Sequence, residues 1–104
     1  NVQRMSPEEK LYQLIEVEDS FLVRLRMGDG FDQVAFAELI HCIWELKEKS
    51  AGKEFIPKRV AYCLVELPSI MLGCLGPSYQ VDVRNEIQKA AVELDYAISS
   101  FLGG

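Results

Sequence analysis

Histidine is nearly absent from this chain, at one residue, and cysteine is sparse and odd in number: Cys42, Cys63 and Cys74, with no Cys-x-x-Cys pair. A zinc site needs several clustered thiol or imidazole ligands and a disulfide framework needs paired thiols, so both are disfavoured. All three thiols fall inside helical patterns and read as reduced core residues of a cytoplasmic protein, because a free cysteine behaves mainly as a small hydrophobe. A Ser- or Cys-based triad has no evident base, since His41 is the sole imidazole and turns away from the apolar side of its helix. The sequence also lacks a P-loop, a dinucleotide fingerprint and a nucleophile elbow. Gly28-Asp29-Gly30-Phe31-Asp32 carries too few acidic ligands for an EF-hand.

Basic clusters are missing too. Sixteen acidic residues stand against 11 basic ones, for a net charge of −5, and the Lys and Arg residues are scattered. Nucleic-acid binding is disfavoured, because it rests on a basic face that neutralises phosphates. A membrane span takes ~20 apolar residues in succession. The most apolar stretch, VAYCLVELPSIMLGCLG from Val60 to Gly76, is shorter and is interrupted by Glu66 and Pro68. The opening NVQRMSPEEK holds no apolar run of the kind a secretion signal uses, and residues 1–5 are expected to be disordered.

What the chain does have is helical periodicity. Its 104 residues suit one domain with one core, and 49% hydrophobic against 26% charged residues is the balance of a soluble globular protein. No strand alternation, internal repeat or low-complexity tract is evident. Ser6-Pro7-Glu8-Glu9 opens a first helix: Ser6 caps, Pro7 suits the first position, and Glu9 completes a capping box. Leu11, Leu14, Ile15, Phe21, Leu22 and Leu25 then recur at helical spacing, so one helix is predicted over 7–27, ending at Gly28-Asp29-Gly30. Asp32 caps a second helix over 32–49, with Phe31 and Phe36 as a hydrophobic staple and Phe36, Leu39, Ile40, Ile43 and Leu46 facing the core.

The third helix, 57–75, starts at Pro57 and is predicted to kink or break near Pro68. Only Arg59, Tyr62, Glu66, Ser69 and Gly73 form a polar or small stripe on it, so it reads as a central helix, surrounded by neighbours or pressed against a second subunit. The last helix, 79–102, has a clean stripe of Val83, Ile87, Ala90, Ala91, Leu94, Ile98 and Phe101. Four helices with short connections predict an all-α, antiparallel four-helix bundle, with Leu64, Leu67 and Met71 in its core.

Three features bear on function. Glu18 falls in the middle of the first helix's apolar arc, where a carboxylate must find donors or take up a proton. Glu38 and His41 have the Glu-x-x-His spacing of di-metal bundles, but a second such pair is missing, and both face away from the apolar side. Finally, apolar residues exceed what four core stripes need, and Trp44 sits between the apolar and acidic arcs of its helix, the position of an interface anchor. The leading expectation is a cofactor-free, non-catalytic interaction module. It would form a homodimer or neutralise a basic partner in the manner of an immunity protein or antitoxin, through Trp44, Glu38, Glu45 and Glu48. The alternative is a metal- or small-ligand-binding bundle with Glu18 as its inner carboxylate and Tyr62 and Glu66 as companions.

Overall fold

Ser6 opens the first helix as its sequence requires. In the computed structural model, which describes residues 6–16, 20–53, 55–73 and 79–103, the Glu9 N–H donates to Ser6 Oγ at 3.2 Å and Pro7 occupies the first turn. The described residues contain no strand, and the chain is all-helical: α1 (Pro7–Ile15), α2 (Phe21–Arg26), α3 (Gln33–Lys49), α4 (Lys58–Val65), α5 (Leu67–Gly73) and α6 (Val81–Leu102). Among the described residues, no helix is long and apolar enough to cross a membrane.

The single helix expected over 7–27 is instead two. Glu16 caps the end of α1, its N–H donating to the Tyr12 carbonyl, and Ser20 begins α2. Ser20 is buried, in an extended backbone conformation, with its hydroxyl accepting from the Val23 N–H and donating to the Ile15 carbonyl at 3.3 Å. A serine whose hydroxyl satisfies a free helix-start amide competes with continued helix, and the periodicity of its apolar neighbours does not register this. Glu18 and Asp19 lie outside the described residues, as do residues 1–5, for which disorder was expected.

The second expected helix matches α3 closely. Asp32 Oδ1 accepts from the Ala35 N–H at 3.0 Å, and the Phe31 and Phe36 rings pack with centroids 5.5 Å apart, so cap and staple are both in place. Phe21 joins this aromatic cluster edge-on to Phe31 at 5.8 Å. Gly52, at φ 78°, takes the left-handed conformation after the end of α3.

The expected third helix breaks at Glu66, which caps α4 before α5 begins at Leu67 with Pro68 in its first turn. A proline lacks the N–H that would continue α4, but a first turn tolerates it. Pro57 is the N-cap of α4 rather than its first helical residue. Leu64, Leu67 and Met71 are fully buried, as the pattern predicts. Burying each such side chain contributes about 1.5–3 kcal/mol.

The last helix starts two residues later than expected, at Val81, with Gln80 as N-cap. Tyr79 precedes it and is buried. Its hydroxyl donates to the Leu25 carbonyl at 2.7 Å and accepts from the Gly30 N–H at 3.3 Å, tying the start of α6 to the turn after α2. Gly30, at φ 110°, adopts a backbone conformation that only glycine takes readily.

The helices form a plate of 43 × 35 × 20 Å. α3 lies between α1 and α6, α5 packs on α6, and α4 bridges α1, α5 and α6. The core runs through the middle, from Leu11, Leu25, Leu39 and Ile43 to Leu64, Ile87 and Leu94. At about 10 Å per helix layer, a plate this thin is two layers deep, so every helix has an outer side. The α4–α5 segment is therefore not enclosed by its own chain: Tyr62 is 78% exposed, Val65 61% and Leu72 47%.

Candidate functional site

α3 carries the residues singled out for interaction. Its core side is filled by Phe36, Leu39, Cys42, Ile43 and Leu46, which turns Glu38, His41 and Glu48 to solvent. His41 Nε2 meets Glu45 Oε1 at 2.9 Å one helical turn on, on an open surface. Glu38 and His41 border a shallow depression with Val34, Ala37 and Lys10. Glu48 lies on the same acidic arc, further toward the C-terminal end.

Trp44 is half-buried at the seam between α3 and α6. Its ring packs against Tyr96 of α6 with centroids 6.2 Å apart and planes at 60°, and Lys47 Nζ stands 5.3 Å from the Trp44 ring centroid. An aromatic pair with a cation over one face is worth about 0.5–1.5 kcal/mol beyond its buried area. Tyr96 remains largely exposed, and Val92, one turn earlier on α6, is exposed as well. The structure thus brings Trp44 together with Tyr96. Glu38 and His41 instead border the depression next to Lys10 of α1.

A second constellation joins α1 to α4. Glu16 accepts from both Arg59 Nη2, at 2.6 Å, and Arg59 Nε, at 3.4 Å, and its Oε1 also accepts from the Cys63 thiol at 3.1 Å. The Arg59 guanidinium lies over the Tyr12 ring, 3.8 Å from its centroid. The Arg59 hydrogen bond, followed by that of Cys63, holds the Glu16 carboxyl below its ordinary range. Burial first, and the neighbouring Glu16 second, push the Cys63 thiol up to about 11. A thiol so raised is protonated at neutral pH and is a donor, not a nucleophile.

Sequence reasoning missed this cluster. Its signal was two one-turn pairs, Tyr12 with Glu16 and Arg59 with Cys63, and nothing in either helix alone shows that they face each other. The start of α1 is held in a parallel way: the Cys42 thiol, raised to about 11 mainly by burial, donates to the Pro7 carbonyl at 2.8 Å. Lys49 of α3 also reaches Glu8, at 3.0 Å.

Among the described residues, no three His, Cys, Asp or Glu side chains come together in a way that could hold a metal ion. Glu18 and Cys74 are outside those residues; Tyr62 and Glu66, named as companions of Glu18, are exposed on α4 and at its end. A cleft of ≈ 210 Å³ sits at the C-terminal end of α3, with Leu46, Ile56, Val60 and Phe101 as walls and Lys49 paired with Glu8 at its mouth. No family model matches the chain, and no curated protein or solved structure matches it either.

Proposed function

We propose that this chain is a small, cytoplasmic, non-catalytic interaction module built on an antiparallel bundle, in which α1 with α2 and α4 with α5 each serve as one arm. It acts through its surface, as a homodimer or by covering a basic partner as an immunity protein or antitoxin does. The observation that carries this reading is the apolar surface left open by the fold: Tyr62, Val65 and Leu72 on α4–α5, and Val81, Val92 and Tyr96 on α6, the last against Trp44. Large aromatic side chains beside apolar neighbours are the usual anchors of protein interfaces. Glu38, Glu45 and Glu48 add negative charge to the adjoining face of α3, which favours a cationic partner there.

Trp44 is the single tryptophan, so its emission reports on this surface directly. The test is sedimentation equilibrium of the whole chain over a dilution series, with Trp44 emission followed during titration with poly-lysine. The parent and two variants are compared: Trp44→Ala, and the triple change Glu38→Lys, Glu45→Lys, Glu48→Lys. Self-association weakened in Trp44→Ala, or a poly-lysine response abolished in the triple variant, supports the proposal. A monomer at every concentration whose Trp44 emission poly-lysine leaves unmoved overturns it.

A further inference from the structure

Taking the self-association reading above as its basis, we infer that the outer face of α6 is where two copies of this chain meet, with their α6 helices antiparallel and a two-fold axis near residue 90. The inner side of α6 is committed, with Ile87, Ala90, Ala91, Leu94, Ile98 and Phe101 buried against α3, α5 and α4. Its opposite side runs Val81, Asn85, Gln88, Val92, Tyr96 and Ser99, all exposed. Val81 is 69% exposed, Val92 71% and Tyr96 68%, so three large apolar side chains punctuate a helix face that the described residues leave open apart from Trp44 beside Tyr96.

The two edges of that face carry charge in a directional order. At about 100° per residue, Arg84 and Asp95 lie along one edge and Lys89 and Glu93 along the other. In each of these two pairs the cation comes first and the acid follows towards the C-terminus; Asp82, exposed at the start of the second edge, precedes Lys89 by two turns. All four side chains are exposed, and none is in an ion pair with a described residue.

In an antiparallel helix pair like edges meet, so each cation reaches the acid of the same edge on the other copy. The midpoint of Arg84 and Asp95 falls between residues 89 and 90, and that of Lys89 and Glu93 at residue 91, so one axis serves both edges. The same axis sets Tyr96 opposite Asn85, and Val92 opposite Gln88 and Lys89. A parallel pair would set Asp95 beside Glu93, which is repulsive, and would leave Lys89 with no acid of the facing edge within a turn of it. A basic protein would meet Arg84 and Lys89 as like charges, so on this face a second copy is the better match. α6 is about 33 Å long at its rise per residue, long enough for such a seam, and the Trp44–Tyr96 pair widens it at one side.

The experiment uses two charge variants of the full chain, Arg84→Glu with Lys89→Glu, and Glu93→Lys with Asp95→Lys, each checked for parental helix content by circular dichroism. The parent should sediment as a dimer, and each variant alone should self-associate roughly tenfold or more weakly, because every contact along both edges becomes repulsive. An equimolar mixture of the two should recover the dimer mass. Variants that associate as strongly as the parent, or a mixture that does not pair, would overturn the α6 seam. The interaction-module reading would survive that result, provided Trp44→Ala still weakened the dimer. A parent that is monomeric throughout also overturns the seam, and then the response of Trp44 to poly-lysine alone decides the broader reading.

Discussion

Two of the chain's helical arms are interrupted, and the interruptions are made of different material. Between α4 and α5 the break is covalent: Pro68 has no N–H to offer the preceding turn. Between α1 and α2 the structure shows Ser20 at the break, a residue able to continue a helix, with its hydroxyl turned onto the Val23 N–H and the Ile15 carbonyl. The first arm is further held by polar contacts to other elements, Glu16 to Arg59 and Cys63, and Tyr79 to the Leu25 carbonyl. A break imposed by a ring is a property of its own segment. A break held by a hydroxyl depends on what surrounds it.

The comparison is broken most forcefully at the core residue beside each interruption. Leu22, just inside α2, is 3% exposed, and Leu67, at the start of α5, is 1% exposed. Each truncated to Ala should cost about 2–5 kcal/mol in urea denaturation, since the plate gives neither cavity an easy collapse. A cost for Leu22→Ala far below that of Leu67→Ala would mean that α2 is not a full member of the core and that the two breaks are not equivalent.

Removing the cause of each break sharpens the contrast at a smaller scale. Ser20→Ala should cost about 0.5–2 kcal/mol, because it frees the Val23 N–H from a buried cap. Pro68→Ala should change stability by no more than about 1 kcal/mol, since a first-turn proline leaves no amide unsatisfied and its loss only gives the unfolded chain more freedom. Amide chemical shifts around Glu66 should become more helical in Pro68→Ala, while Ser20→Ala should not fuse α1 with α2.

This difference also explains how much of the molecule was legible beforehand. Pro68, Asp32, the Phe31–Phe36 staple and the stripe from Ile87 to Phe101 are local signals, and each recurs in the structure at its expected place. The Ser20 break was not legible, because the apolar spacing of Leu14, Phe21 and Leu25 continues across it as though the helix did. Tyr79 was assigned to the last helix, although its phenol is spent on the Gly30 N–H and the Leu25 carbonyl, 49 and 54 residues away in sequence. Trp44 was legible as a rim residue of its helix, but its companion Tyr96 belongs to α6 and is brought there by tertiary packing. The Glu16 cluster was illegible for the same reason, being the meeting of two helices each unremarkable alone.

The smallest expected effect lies in pH. The Glu16 carboxyl is held below its ordinary range, first by Arg59 and then by the Cys63 thiol, and that of Asp32 by the Ala35 N–H and by Arg24. Both are lowered in the folded state, so the unfolded chain binds more protons as the pH falls. Their contribution is present above the unfolded carboxylate range and is lost as pH drops through the folded values. Thermal melts should show stability falling with acid over that window. Arg59→Gln should remove the Glu16 part of that dependence and leave the Asp32 part, a shift tempered by solvent because the Arg59–Glu16 pair is largely open. An unchanged acid profile would deny that this contact, which ties α1 to α4, contributes to stability.

The two sulfur donors give α1 a property that no single contact would. Cys42 holds the carbonyl at its first residue and Cys63 the carboxylate just past its last, so the helix is tied down like a strap with a buckle at either end. Burial is the first cause that raises each thiol, so the labelling rates of Cys42 and Cys63 should report the exposure of the two ends of α1 separately.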